Sequence, residues 1–355
     1  MAIDTTLNNV VIACKGGEST SLEFRKPPNP GPGEVLLKLR AVGFCGTDLF
    51  KLTTGSTRPG MVLGHELVGE VVTLGDGVNK FHLGDRIVVP HHVPCGNCLL
   101  CQRGNETMCE SFRENLLEPG AFANKILIRS RAVDQAAYHV PDHLSDETAV
   151  FLEPAACVLR GINRSELKGK GTAAIIGAGS MGLLHLLVLR AVLPDISIIV
   201  IDPIEDRCTL AKDMGATIAI TPGKKALSIV HDATNGIGVD VAFDTVGGSM
   251  TLKDGLLLTR HGGSLVLFAH APEKNLAKIN LNSVFKYERR IIGTYSASIK
   301  EQSEIFELLV NGVLNPSPLV THTMPLDEFT YGLELVRNQQ ALKIVFTPSK
   351  RTPAR

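Results

Sequence analysis

The apolar positions of this chain follow two different rhythms. Up to about residue 140 they come as short runs of strand length broken by glycine and proline: a strand-turn-strand pattern at 10–24, then runs at 35–42, 67–74 and 87–89. The segment Pro27-Pro28-Asn29-Pro30-Gly31-Pro32-Gly33-Glu34 is rich in residues that preset turns. Strand-like sequence follows it at once, so it marks a turn inside a β-rich region and not a linker. After Pro141 the rhythm changes, and Ser145-Asp146-Glu147 reads as a helix cap with an acidic first turn. From Thr172 onward strand-like runs (173–176, 196–201, 216–220, 239–244, 264–268) alternate with helical patterns (183–192, 205–214, 225–232, 249–258), and a last strand is expected at 290–293. Such alternation predicts βαβ units and a parallel, doubly wound sheet, giving an α/β fold overall. The expected organisation is a β-rich domain over 1–154, an α/β domain over 155–294, and a return to the β-rich domain over 295–355. That return carries an apolar helix at 305–310 and a loose tail at 349–355.

The first strand of the alternating region runs into Gly177-Ala178-Gly179-Ser180-Met181-Gly182, a Gly-x-Gly-x-x-Gly turn that opens a helix. Gly177 allows the tight turn, Gly179 has no Cβ to hold the backbone off a pyrophosphate, and Gly182 lets helix and strand pack closely. The following strand ends in Asp202, whose carboxylate is placed to accept hydrogen bonds from the ribose hydroxyls of NAD and to repel the extra phosphate of NADP. Arg207, five residues on, could instead pair with that phosphate, project into solvent or lie against the adenine. With Ser180, Met181 and Thr245 these residues form the candidate cofactor site of a Rossmann-type domain.

Composition narrows the class. Lys plus Arg and Asp plus Glu both number 36 in 355 residues, so no global field favours nucleic acid or an anionic membrane, and small-molecule chemistry becomes the default. The first residues lack the basic and apolar regions of a signal peptide, and no apolar run reaches membrane-helix length. A cytoplasmic protein is the expectation. Four of the eight cysteines crowd into Cys95-x-x-Cys98-x-x-Cys101 and Cys109. Four thiolates from one short loop suit a closed tetrahedral zinc site with a structural role. An iron-sulfur site fits less well, because the ferredoxin-type run has a proline after its last cysteine and Glu110 follows here. Free or disulfide-paired thiols are the remaining alternative.

A second donor set is open. Cys45 lies in Gly43-Phe44-Cys45-Gly46-Thr47-Asp48, and Gly64-His65-Glu66 follows. Cys, His and Glu are zinc ligand types, and three protein ligands leave a position for water or a substrate oxygen. Glu153 is a charge inside an apolar helical pattern, and a carboxylate buried there needs a partner that a metal would supply; a helix-cap or salt-bridge glutamate is the alternative.

On these residues, on Gly69, Gly75 and Val78, on the four-cysteine loop and on the glycine cradle with Asp202, the sequence resembles the zinc-containing medium-chain alcohol and polyol dehydrogenases over nearly its whole length. Glu66 after His65, and Glu153 where simple alcohol dehydrogenases have a cysteine, are similar to the sorbitol and threonine dehydrogenase branch. The resemblance implies a GroES-like fold for the β-rich domain and two zinc ions per chain. It places one ion on Cys45, His65 and Glu66, with Glu153 as fourth ligand or as partner of zinc-bound water and substrate. It further implies NAD in a cleft between the domains, a small-molecule alcohol substrate, a homo-oligomer (dimer or tetramer), and Thr47 as the hydroxyl that passes the substrate proton outward. One position departs: polyol and threonine dehydrogenases of this kind usually have a histidine five places after the cysteine, and here Phe50 stands there. Alternatives within and outside enzymes are a threonine-type or simple secondary-alcohol dehydrogenase, and a nucleotide-binding protein without turnover.

Overall fold

A computed structural model of the chain describes residues 8–271, 274 and 276–352. The stretch before residue 8 and the end of the tail after residue 352, both part of the sequence reading above, lie outside the described residues. The chain divides into two units, Met1–Pro154 with Ser298–Arg355, and Ala155–Ala297. Among the described residues no helix is long and apolar enough to cross a membrane.

The first unit opens with the antiparallel hairpin Asn9–Gly16 and Ser19–Arg25. Its main sheet is organised on Val35–Gly43, a strand buried along nearly its whole length. On one side this strand pairs antiparallel with Glu66–Leu74, and Gly43 stands opposite Glu66. It also pairs antiparallel with Lys343–Thr347, which brings Gly43 opposite Val345. Strand ends from three distant parts of the sequence therefore meet at Gly43. Beneath them Phe44, Phe122, Phe329 and Phe346 form one aromatic cluster, with Phe122 and Phe329 ring centroids 4.9 Å apart and Phe329 and Phe346 5.1 Å apart. Phe329 and Phe346 come from the returning segment, so burial of apolar rings closes this unit across the chain.

In the second unit six parallel strands lie in the order Ile218–Ile220, Ser197–Ile201, Thr172–Ile176, Val239–Asp244, Thr259–Leu267, Arg290–Gly293. The chain winds outward from Thr172–Ile176 in one direction and then in the other, so the order reverses beside that strand. The strand cores are fully buried and rich in Ile, Val and Ala, as expected of a parallel sheet covered by helices.

Several elements differ from the sequence pattern. The helix expected from Ser145 is two helices, Asp146–Ala149, capped by the Ser145 hydroxyl accepting from Thr148 N at 3.2 Å, and Leu152–Ser165. The strand expected at 264–268 starts at Thr259, with a bulge between the Val239–Thr259 and Val241–Ser264 pairs. The helix expected at 305–310 is the longer Ile299–Val310, closed by a capping box of Ser298 and Glu301. The tail is not loose at its start: Ser349 is buried, its N–H donates to Asn124 Oδ1 (2.8 Å), and its hydroxyl donates to Asp327.

Candidate metal centre and cofactor cradle

Cys45 is the residue that starts the helix Gly46–Thr53. Its Sγ accepts from Thr47 N (3.4 Å), while Asp48 Oδ2 accepts from Cys45 N (3.2 Å), which closes a capping box and fixes the thiol at the positive end of a helix. Asp48 has a larger part than its place in the motif suggested. It is fully buried, its other oxygen accepts from Gly64 N (3.2 Å), and that same oxygen lies 3.4 Å from His65 Nδ1. Burial alone would raise the Asp48 carboxyl, but His65 and the two backbone N–H groups outweigh it and hold it below the usual range. Burial likewise disfavours charge on His65, yet Asp48 and the Cys45 thiolate together raise its pKa well above the ordinary value. An imidazole whose Nδ1–H is directed at a carboxylate leaves Nε2 for a metal, which would bind in place of that nitrogen's proton.

Cys45, His65 and Glu66 each offer a ligand atom, and these atoms all lie within 4.8 Å of one another. Glu66 is 1% exposed, and its Oε1 is buried with no hydrogen-bond partner among the described residues. An orphaned carboxylate oxygen beside a thiol and an imidazole is costly without a cation and ordinary with one, so the donor set fits zinc. Glu153 is buried in the first turn of Leu152–Ser165, and the three converging residues do not include it. The wall beside His65 was not anticipated either. His91 lies tilted against it with centroids 4.5 Å apart, and His92 lies against His91 at 3.7 Å. Burial, with His65 and Lys51 nearby, pushes His91 well below the ordinary imidazole range and His92 down to about 3, so both are neutral at physiological pH. The only advance signal was a histidine pair just after a strand. Phe50 stands two residues beyond Asp48 on the same helix, half-buried.

The four cysteines of the loop also converge, with all ligand atoms within 4.8 Å of one another. Sγ separations are 3.5 Å for Cys98–Cys101, 3.5 Å for Cys95–Cys109 and 3.9 Å for Cys95–Cys101. The N–H groups of Asn97 and Cys98 aimed at the Cys95 thiol lower it to about 6, whereas burial and the neighbouring thiols push Cys101 up to about 12, so the cluster shares its protons unevenly.

In the second unit the glycine loop has the shape of a phosphate cradle. Gly177 has φ +97°, and a Cβ on Gly182 would lie 1.8 Å from Gly177 O, so both positions are closed to side chains. At Gly179 nothing stands within 4 Å of a Cβ, and no side chain caps the helix Ser180–Val192 that begins there. That open space at a helix N-terminus fits a pyrophosphate. Asp202 is buried, with Oδ2 accepting from Ala178 N (2.6 Å) and Oδ1 from Ile204 N (2.9 Å), so it braces the loop. The Thr245 hydroxyl donates to Ile176 O (2.8 Å), which ties the end of Val239–Asp244 to the cradle. Ser180, Met181 and Arg207 lie in the first turns of their helices.

Comparison with known proteins agrees with this arrangement. Residues 31–141 match the model of the alcohol dehydrogenase GroES-like domain, and residues 180–311 that of the zinc-binding dehydrogenases. The chain is similar to the sorbitol dehydrogenase of Bacillus subtilis (32% identity over 93% of this chain and 94% of that one) and to the L-threonine 3-dehydrogenase of Thermococcus kodakarensis (31%, 91% and 93%). Among solved structures it is similar to a putative zinc-binding dehydrogenase from Sinorhizobium meliloti bound to NADP, with a TM-score of 0.85 at 26% identity, covering 96% of this chain and 99% of that one. The chain belongs to the zinc-dependent medium-chain alcohol and polyol dehydrogenases, a family of oxidoreductases built from a GroES-like and a Rossmann-type domain.

Proposed function

We propose that this chain oxidises a secondary alcohol flanked by a second hydroxyl, as in a polyol, cyclitol or sugar derivative, to the ketone with NAD. The observation that carries the reading is the convergence of Cys45, His65 and Glu66 on one point, with Glu66 Oε1 left without a partner. When bound there, zinc supplies Lewis acidity towards an alcohol oxygen, and a nicotinamide supplies the hydride acceptor. The protein's own groups position and deprotonate. Asp48 orients His65, the helix start fixes the Cys45 sulfur, and Thr47 takes the hydroxyl proton towards solvent. Gly177–Gly182 receive the pyrophosphate, and Asp202 favours NAD over its phosphorylated form. Glu66 makes the donor set more acidic than a Cys, His, Cys set, which suits a substrate presenting several hydroxyl donors, and we assign buried Glu153 to the same site as a second acidic group. The four-cysteine loop holds a second, structural zinc.

Threonine is the second reading, favoured by a relative named threonine 3-dehydrogenase at 31% identity, beside 32% for the sorbitol enzyme. An NAD-reduction screen over sorbitol, xylitol, inositols, butanediol, threonine, simple secondary alcohols and sugar phosphates separates them. Vicinal diols are expected to show the highest kcat/KM. Higher efficiency with monohydric alcohols overturns the polyol reading, and turnover of threonine alone selects the second.

A further inference from the structure

Glu66 is not held by the metal cluster alone. Its Oε2 accepts from Lys343 Nζ, a cation reached 277 residues further along the chain and only 2% exposed. Lys343 Nζ also stands 5.3 Å from the centroid of the Phe151 ring, so an aromatic face supports the ammonium where water does not reach. The backbone is shaped around this pair. Gly43, opposite Glu66 in the sheet, would place a Cβ 2.2 Å from Glu66 Oε2 and 2.9 Å from Lys343 Cε, so only a residue without a side chain leaves room for the contact. A buried ion pair seldom adds net stability over an apolar pair of the same shape, because desolvation of both charges offsets their attraction. Stability is therefore a poor reason for it, and Oε1, left unpartnered, points to another.

Resting on the metal site proposed above, we propose that Lys343 is a positioning residue for that metal: it occupies one oxygen of Glu66, so that the carboxylate offers a single donor, Oε1, in a fixed orientation. A carboxylate free at both oxygens can rotate or grip a cation with both, and either changes the number of positions left for substrate. With Oε2 held by the Lys343 ammonium, Glu66 is confined to one donor, and the lysine's positive charge balances part of that carboxylate's negative charge. Its role runs wholly through Glu66.

The test is a titration of the full-length, zinc-depleted protein with cobalt(II) alone, following the thiolate-to-cobalt absorption. Cys45→Ser measured in parallel subtracts the four-cysteine loop. If the unmodified protein shows no Cys45-dependent saturable signal, the metal reading of the site fails before Lys343 is judged. If it does, Lys343→Met is expected to weaken cobalt binding by roughly tenfold to a hundredfold and to shift the absorption, and Lys343→Arg to recover most of the loss. In a Glu66→Gln background the same Lys343→Met change is expected to cost nothing further, because a residue acting only through Glu66 has no effect once that carboxylate is gone. Affinity unchanged in Lys343→Met overturns the inference, as does an equal loss with and without the carboxylate. Should Lys343→Met leave a buried charge that prevents folding, the comparison of Glu66→Gln with Glu66→Gln/Lys343→Met, where no unpaired charge remains, still decides: a further loss in the double variant refutes it.

Discussion

His185 makes the stability of the nucleotide-binding unit depend on pH in a way that can be measured. It sits on the helix Ser180–Val192, is fully buried, and lies against Phe243 and Phe268 with ring centroids 5.3 and 4.5 Å away. Nδ1 donates to Met181 O at 2.7 Å, while Nε2 has no partner among the described residues, so a proton added there would place a charge among aromatic rings. Burial, partly countered by the Met181 carbonyl, lowers its pKa from 6.5 to about 4. Because the folded value lies below the ordinary one, the unfolded chain takes up the proton first. The stabilisation is complete above about pH 6.5 and is lost as pH falls towards 4, in total about 3 kcal/mol at 1.36 kcal/mol per unit. Between pH 7.5 and 5 the expected loss from this residue is about 2 kcal/mol. His185→Leu keeps the volume and removes the titration, and at pH 7.5 it is expected to change stability by less than about 1.5 kcal/mol. Hydrogen exchange of peptides covering Thr172–Ile176 and Val239–Asp244, corrected for intrinsic rates, reads the opening free energy of this unit directly. The slope against pH is expected to be shallower in the variant by about 2 kcal/mol over that interval. Parallel slopes in the two proteins would refute the reasoning, since the proton uptake would then lie elsewhere.

Four further outcomes are expected. Asp48→Asn leaves one oxygen for three donors, so an amide N–H must face a backbone N–H or His65; metal affinity at the open site, read by chelator competition, should fall roughly tenfold to a hundredfold, and wild-type affinity would count against the bracing role. Metal analysis should give two zinc ions per chain; Cys98→Ser should lose one together with thermal stability, whereas Cys45→Ser should lose one with turnover abolished and the melting temperature largely kept, and one ion in the fully loaded native protein contradicts this. Asp202→Ala should raise the KM for NAD and narrow its advantage over NADP, with equal kcat/KM for both cofactors in the unmodified protein as the contrary result. Glu153→Gln should lower turnover more than thermal stability if this glutamate serves the reaction; the opposite ranking assigns it to the fold.

The sequence reading reached furthest where one local pattern carried the physics. Alternating strand and helix rhythms, the glycines at 177, 179 and 182, and four cysteines in fifteen positions each encode their structure within a short window. Cys45 and His65-Glu66 were legible because ligand residue types stand out against apolar surroundings. Lys343 was not, since a lysine at the start of the apolar run Lys343-Ile344-Val345-Phe346 looks like a solvent-facing strand end, and only the sheet topology carries it to Glu66. Asp48 was visible as a motif residue, but its service to three donors depends on Gly64 being brought beside it. Glu153 was legible as buried, because an apolar pattern reports burial, but which atoms a buried carboxylate faces is a matter of packing that the pattern does not carry. Ser349 was mistaken for tail because its anchors, Asn124 and Asp327, are remote in sequence.

The interrupted course of the first unit also sets an order of assembly. Thr172–Ile176 and the five strands around it come from one continuous stretch, so that sheet can form as soon as its own residues have left the ribosome. Val35–Gly43 and Glu66–Leu74 are made earlier but lack Phe329, Phe346 and Lys343 until much later. During synthesis a finished neighbour therefore waits on an unfinished one, whose sheet has an open flank and whose acidic donor has no cation beside it. Closing such a long loop is slow, and the exposed strand edge is a hazard in the interval. Newly made chains are thus most vulnerable to misassociation in the half that was translated first.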